Sequence, residues 1–243
     1  MPFIVSDLNG NSFRINCQYK PSLHKDFDRF VVSTHLMFGI FIMSLNIATV
    51  GYFTWDLNLS PKYKVTNAED GKPLGMLSLH KNAHYPSEVV DITDANIRKA
   101  ILILGVLTRQ SESIVVQEYL RGILHISLNF TFIDFSREAF GNFYRSFENV
   151  ATEKILKVTK LNNELKELQQ ALRIIGLKED IIKEFKLLYR LRSAQIMHAQ
   201  KKQIKIELDD VFKMKVILDC VLHHIYKPIW TTQMNELLHE PII

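Results

Sequence analysis

The stretch "DITDAN", Asp91–Asn96, separates two parts of the chain that differ in character. Before it, glycine and proline recur beside polar residues, as in Asn9-Gly10, whereas the next proline after it is Pro228. Because glycine and proline mark turns and interrupt helices, their scarcity favours long helices. We therefore predict a mainly α protein, with a smaller mixed α/β region over residues 1–92 and a helical bundle over residues 93–243.

Apolar residues at helical spacing predict a first helix directly after Asp94, which is expected to be its N-cap. The inward stripe of this helix is predicted to consist of four residues: Ile97, Ile101, Leu104 and Leu107. Four further helices are predicted over Ser113–Leu128, Ser136–Leu156, a segment that starts near Asp180, and Leu208–Tyr226.

Two local features refine this prediction. Ser136 is expected to be the N-cap of its helix. The charge-rich segment 153–180, "EKILKVTKLNNELKELQQALRIIGLKED", pairs opposite charges at helical spacing, as in Lys160 and Glu164. Such pairing is typical of a solvated helical linker.

The segment from Phe30 to Trp55 contains no charged side chain and is long enough to span a bilayer. Polar residues such as Ser44 and Asn46 dilute its apolarity, and residues 53–60 alternate between apolar and polar as in a half-buried strand. A buried helix or strand pair is therefore favoured over a membrane span. "KPLGMLSLH", Lys72–His80, is a further strand candidate.

Composition is that of a globular protein, with 47% hydrophobic and 23% charged residues. A net charge of +4 permits an anionic partner without requiring one. The two cysteines, Cys17 and Cys220, lie far apart and belong to no Cys/His ligand set, so neither a disulfide nor a zinc site is expected. The N-terminus lacks the pattern of a signal peptide, which favours a cytoplasmic protein.

The common catalytic sequence motifs are missing: the chain has no GxxxxGK[ST], GxSxG, HExxH or GxGxxG. Adjacent His223 and His224 point in different directions on a helix, so they are interpreted as core or interface residues, as are His35 and His125. His80 and His84 are four residues apart, but nearby Pro86 and Asn82 indicate a loop there. No metal and no cofactor is expected.

One stretch does carry a chemical pattern: "LLYRLRSAQIMHAQKK", Leu187–Lys202, places Arg192 six residues before His198. Taken separately, each side chain is explained by the favourable position of a cation near a helix C-terminus. Taken together, they resemble the hallmark of the HEPN superfamily, an arginine, a small polar neighbour (here Ser193) and a histidine after four to six residues. "LYRLRS" resembles the Apea-like subgroup.

The helices on either side of the motif extend this resemblance. "FGNFYRSFENVATEKIL", Phe140–Leu156, is similar to the HEPN helix whose acidic residue faces the motif, and Glu148 occupies that position. "LDDVFKMKVILDCVLHHIY", Leu208–Tyr226, is similar to the helix that follows the motif. The resemblance covers Ala95–Tyr226, whereas residues 1–90 match no family.

The resemblance implies metal-independent cleavage of RNA, with Arg192, Ser193, His198 and Glu148 as the catalytic set. A histidine can exchange a proton near neutral pH, and an arginine can bind phosphate through two N–H groups. Ser193 would bind phosphate or orient the histidine, and Glu148 would hold the arginine in its rotamer. Lys201, Lys202 and Lys205 would contact the RNA backbone, or alternatively form a solvated charged segment.

Helix geometry constrains this site, because six residues on one straight helix leave Arg192 and His198 about 120° apart. Either the helix ends before His198, or two copies contribute to one site. The family's solution is the second, so a homodimer is expected. HEPN toxins that are modified by a nucleotidyltransferase antitoxin carry a tyrosine where this chain has Gln200, which argues against that route of regulation. A protein regulator or antitoxin remains a candidate partner.

Three functions are consistent with these patterns. The first is a dimeric endoribonuclease that acts on single-stranded RNA, in phage defence or as a toxin. The second is a non-catalytic module that binds a nucleotide or RNA through Arg192. The third is an interaction domain whose N-terminal region recruits another protein.

Overall fold

The computed structural model describes residues 3–7, 13–17, 26–53, 62–66, 73–78, 92–128, 134–195 and 205–237. These residues form seven α-helices and two hairpins, so the class is mainly α, as predicted. The strands are β1 (Phe3–Asp7), β2 (Phe13–Cys17), β3 (Lys62–Thr66) and β4 (Pro73–Ser78). The helices are α1 (Phe27–Thr49), α2 (Asp94–Arg109), α3 (Ile114–Ser127), α4 (Ser136–Val150), α5 (Glu164–Ile174), α6 (Glu179–Gln195) and α7 (Leu208–Leu237).

The strands pair as two separate antiparallel hairpins. Strand β1 pairs with β2 so that Phe3 lies opposite Cys17. Strand β3 pairs with β4 so that Lys62 lies opposite Ser78, and the register shifts between Val65 and Thr66. Strand β4 lies inside the segment that the sequence marks as a strand candidate.

Most of the uncharged N-terminal segment is a single helix, α1, and not a strand pair. Asp26 caps it by accepting a hydrogen bond from the backbone N–H of Arg29 at 3.1 Å. Its Val32–Thr49 portion is the one single helix among the described residues that is long and apolar enough to cross a membrane, and α2 and α3, bent by 116°, meet the criteria only as a pair. Half of that portion is buried, and a core helix of a soluble protein meets the same criteria. The alternating residues 54–60 lie outside the described residues.

Helix α2 packs against α1 through a stripe that only partly matches the predicted one, since Leu107 is buried and Leu104 packs against the core as expected. Its buried residues are Ala100, Ile103 and Leu107, whereas Ile101 is 54% exposed. The N-cap is Thr93, whose side chain accepts from a backbone N–H, and not Asp94, which lies inside the first turn. Since apolar residues surround much of this helix, periodicity alone could not select the face that meets α1.

Helix α4 lies at the centre of the bundle and packs on both α3 and α7. Gly122 of α3 lets the Phe143 ring approach closely, because a Cβ there would lie 2.6 Å from a ring carbon. Ser136 is not the N-cap: it is buried in the first turn, and its backbone N–H donates to Asp134 Oδ1 at 2.8 Å. The N-cap of helix α3 is Ser113, whose side chain accepts a hydrogen bond from the backbone N–H of Val116.

The segment predicted to be a solvated linker contains α5, which contributes Leu168, Ala171 and Leu172 to the core. The segment is helical there, as predicted, but it is not a solvated linker, because α5 is amphipathic, with its charges on one face and apolar residues on the other. Helix α6 buries Ile182, Phe185 and Leu188. Helix α7 continues past the predicted end at Tyr226 and through Pro228.

Candidate functional site

Arg192 lies in the last turn of α6, and its side chain is 15% exposed. The guanidinium lies between two carboxylates from other elements: Nη2 is 3.5 Å from Glu148 Oε2, and Nη1 is 3.1 Å from Glu164 Oε1. Glu148 is near the end of α4 and Glu164 is the first residue of α5. Beneath them, the Tyr144 ring centroid lies 5.1 Å from Arg192 Cζ, a cation–π contact. We call these residues, with Tyr189, the Arg192 cluster.

Glu164 is the most highly coordinated carboxylate of this cluster. Besides the contact with Arg192, it accepts hydrogen bonds from the hydroxyls of Tyr144 and Tyr189, each at 3.3 Å. Asn163 caps α5 at this point, so the carboxylate projects from a fixed helix start. Burial raises the pKa of the Tyr144 hydroxyl, and the neighbouring Glu164 raises it further, so Tyr144 stays a hydrogen-bond donor.

The cluster contains two carboxylates for one guanidinium. Burial raises the pKa of Glu148; the nearby Arg192 opposes this shift, while Glu164 adds to it. A hydrogen bond between the two carboxyl groups, which requires a proton on one of them, acts in the same direction. Glu148 therefore retains its proton to higher pH than an ordinary glutamate, which relieves the excess of negative charge.

A partly open pocket of about 690 Å³ adjoins the cluster, with Glu148 and Glu164 in its wall. Arg145, Thr152 and Lys160 are among its other lining residues. At its edge α4 passes into a π-helical turn, Ala151–Leu156, a geometry that is frequent at functional sites.

The structure brings together some of the predicted site residues. Arg192 contacts Glu148, and the side chain of Ser193, which follows Arg192, hydrogen-bonds to Tyr189. Lys205 is exposed and pairs with Glu207 at 3.2 Å, shortly before the start of α7. His198, Lys201 and Lys202 lie outside the described residues.

Sequence analysis missed three members of the cluster: Tyr144, Glu164 and Tyr189. Two of them carried a signal, because Tyr144 precedes Glu148 by four residues and Tyr189 precedes Arg192 by three, which places each pair on one helix face. Glu164 gave no such signal, since its contact with Arg192 spans 28 residues and a helix connection.

A second cluster of buried charges lies elsewhere in the bundle. Lys215 and Asp219 of α7 are 1% and 0% exposed, and Lys215 Nζ lies 2.5 Å from Asp219 Oδ2. The ammonium group also donates to Asn46 Oδ1 at 3.0 Å and to the Gly51 carbonyl at 2.8 Å. Tyr119 of α3 donates to Asp219 Oδ1 at 2.7 Å. These residues, which we call the Lys215 cluster, join α7 to α3 and to the end of α1.

All polar groups of the Lys215 cluster have partners. Burial lowers the pKa of Lys215 and raises that of Asp219, and their mutual contact opposes both shifts. Asn46 is fixed in turn, since its amide exchanges two hydrogen bonds with the backbone of Phe53, at 2.7 and 2.9 Å. A closed network of this kind specifies how helices pack.

Comparison of the chain with protein-family models, with curated proteins and with solved structures finds no match. Among the described residues, no group of three or more His, Cys, Asp or Glu side chains is arranged to hold a metal ion.

Proposed function

We propose that this chain is a metal-independent endoribonuclease of the HEPN type, which cleaves single-stranded RNA at a site that contains Arg192 and His198. The observation that carries the proposal is the setting of Arg192, whose guanidinium is fixed between Glu148 and Glu164 beside an open pocket. One carboxylate would suffice to neutralise a structural arginine. A second carboxylate adds repulsion between the two glutamates. Like charges held together in a cleft are typical of functional sites.

Arg192 is assigned the stabilisation of the phosphate. A guanidinium has five N–H donors, and two of its nitrogens contact the glutamates, so further donors remain for phosphate oxygens. Because the carboxylates hold its position before RNA binds, little reorganisation is required as negative charge develops on the phosphorane. A proton retained on Glu148 would lessen the repulsion between the cluster and the phosphate.

His198 is assigned the proton transfers. A neutral imidazole takes the proton from the 2′-hydroxyl while O2′ forms a bond to phosphorus, and the bond from phosphorus to O5′ breaks. An imidazolium then donates a proton to O5′. The products are a 2′,3′-cyclic phosphate and a 5′-hydroxyl. Two histidines divide these roles if two copies of the chain form the site, so the proposal includes an isologous homodimer.

The same proposal implies how the chain is divided into domains, which partners it has and where it acts. Residues 93–243 would be a HEPN-like bundle and residues 1–92 a mixed α/β region. The partners would be RNA and a second copy of the chain, in the cytoplasm, with a protein regulator or antitoxin as a further partner. Phage defence or growth arrest as a toxin would be the biological role.

The test is cleavage of end-labelled, mixed-sequence RNA in the presence of EDTA, by the wild type and by His198→Ala. We expect wild-type cleavage with 2′,3′-cyclic phosphate ends and its loss in the variant, since no other group in the proposed site exchanges protons near pH 7 as readily as histidine. Circular dichroism and thermal unfolding show that both proteins are folded. Equal cleavage by both proteins would remove His198 from the mechanism.

A second candidate function is a module that binds RNA or a nucleotide without cleaving it. One observation favours it: the described lining of the pocket beside Arg192 includes Arg145 and Lys160, which can bind a phosphate, but no histidine that could transfer protons. In that case the wild type shows no cleavage in EDTA, and Arg192→Ala lowers the affinity for RNA.

A further inference from the structure

A third group of charged residues lies between α3 and α4 and has the opposite charge balance from the Arg192 cluster. Its centre is Glu118, whose side chain is only 9% exposed. Two arginines share this carboxylate: Arg121 Nη1 lies 2.7 Å from Oε1, and Arg145 Nη2 lies 2.7 Å from Oε2. Arg145 Nε also donates to Oε2, at 2.8 Å. Two guanidinium groups therefore lie within contact distance of one carboxylate.

Both arginines keep donors that point away from Glu118. Their side chains are 58% and 49% exposed for Arg121 and Arg145 respectively. No described residue accepts a hydrogen bond from Nη1 of Arg145 or from Nη2 of Arg121. The buried carboxylate holds Arg145 through two nitrogens and Arg121 through one, so the exposed donors are already positioned before a ligand arrives.

Asn142 extends the group to a histidine. Since an arginine N–H can only donate, the Arg145 contact identifies the Asn142 atom that faces it as the amide oxygen. The amide nitrogen then donates to His125 Nδ1, at 2.8 Å. Nδ1 is therefore the unprotonated nitrogen, and Nε2 carries the hydrogen of a neutral imidazole.

His125, interpreted from the sequence as a core or interface residue, lies at the edge of the core. It is half-buried, and its ring stacks on that of Phe135 with centroids 5.7 Å apart. Burial lowers its pKa, and a proton on Nδ1 would face the donor N–H of Asn142. Glu138, the other carboxylate near the ring, raises the pKa of His125, and Arg145 lowers it. His125 thus offers a neutral N–H donor beside two cations.

We propose that Arg121, Arg145 and His125, held by Glu118 and Asn142, form a binding site for a phosphate group. The remaining N–H donors of the two guanidinium groups can each bind a phosphate oxygen, and two cations for the one carboxylate that they contact favour an anion. Arg145 also lines the pocket beside the Arg192 cluster, so a strand bound here runs toward Glu148. Phosphate binding follows from this geometry alone; only the identity of the ligand as RNA rests on the proposed function.

The test measures binding and not cleavage. A 2′-O-methyl RNA dodecamer with free hydroxyls at both ends is titrated in EDTA and followed by fluorescence anisotropy; it presents only internal phosphodiesters and lacks the 2′-nucleophile. Inorganic phosphate is titrated separately and followed through the NMR signals of the arginine Nε–H groups. Arg121→Gln is the main variant, because Arg145 still pairs with the buried Glu118 when Arg121 is replaced.

Arg173→Gln is the matched control, since Arg173 is similarly exposed and pairs with an exposed carboxylate, Glu179. We expect Arg121→Gln to weaken RNA binding on the order of tenfold, as for the loss of a charged hydrogen bond. The slope of log Kd against log salt should fall by about 0.7, the value for one phosphate contact on a single strand. Arg173→Gln should change neither quantity, and Arg121→Lys should restore only part of the affinity.

Each outcome decides a separate point. Equal losses in Arg121→Gln and Arg173→Gln would show nonspecific charge and overturn the proposal, as would unchanged binding in Arg121→Gln. Arg121-dependent binding of inorganic phosphate without binding of the RNA would support the site and identify its ligand as a free or terminal phosphate. Arg121-dependent binding of RNA by a protein that never cleaves RNA would support this site while the proposed ribonuclease function fails.

Discussion

The Lys215 cluster and the Arg192 cluster both surround a cation with carboxylate and tyrosine groups, yet they differ in exposure and charge balance. In the first, Lys215 and Asp219 are fully buried, balanced one to one and satisfied by neighbouring polar groups. In the second, two glutamates surround one arginine at the wall of an open pocket. We therefore assign the first cluster to packing of the fold, whereas the second is the one on which the proposed function rests.

The largest effect is expected from Lys215→Met. This change leaves the buried carboxylate of Asp219 without its cation, so the free energy of unfolding should fall by about 3–5 kcal/mol. Urea unfolding measures it. Lys213→Met is the control on the same helix: Lys213 pairs with Glu184 and Asp209 at the surface, so its loss should cost less than about 1 kcal/mol.

A double variant sharpens this prediction. Lys215→Met with Asp219→Leu removes both charges, so at least half of the lost stability should return if the cluster only determines packing. A loss below about 1 kcal/mol for Lys215→Met alone would contradict the assignment of this cluster to the fold.

A smaller effect is expected from Glu148→Gln. The pKa of Glu148 is raised in the folded chain, so folding favours the protonated carboxyl group. The stability that this group contributes is therefore complete below the ordinary pKa of glutamate and is lost as pH rises through the folded pKa. Glutamine cannot ionise and does not undergo this loss. The variant should therefore gain stability relative to the wild type as pH rises above the ordinary pKa of glutamate, about 4.3, as measured by urea unfolding at each pH.

Glu179→Gln provides a control of opposite sign. The hydrogen bond from Arg173 lowers the pKa of Glu179, so its stabilising contribution is present above the ordinary pKa and lost as pH falls through the lowered value. The stability that this variant loses relative to the wild type should therefore be greatest at neutral pH. If the stability of both variants relative to the wild type changes with pH in the same direction, the excess of carboxylate at the Arg192 cluster is not the cause of the change in Glu148→Gln.

The helical spacing of apolar residues was enough to locate most helices of the bundle. It failed where contacts with other helices determine which face of a helix is buried. On α2 it selected Ile97 and Ile101, which are exposed, because apolar residues occur on more than one face and only the position of α1 determines which face is buried. In segment 153–180 the charges suggested a linker, although Leu168 and Leu172 give α5 a core-facing stripe.

The candidate site was predictable in part. The motif around Arg192 and the matching helix identified Glu148, and the structure places these two side chains in contact. Glu164 was missed because its contact with Arg192 depends on how α5 and α6 pack. The Lys215 cluster was missed for another reason: a lysine is almost never fully buried, so the pattern of α7 assigns Lys215 to the surface. The relation of Arg192 to His198 stays a prediction.

The most direct test of the functional assignment is the rate of RNA cleavage in EDTA by the wild type and by Arg192→Gln, with unfolding of both followed in parallel. The account predicts that the variant remains folded and loses at least about 100-fold in cleavage rate, as expected when a group that stabilises transition-state charge is removed. Equal cleavage by the two folded proteins, or none by the wild type, would contradict the account.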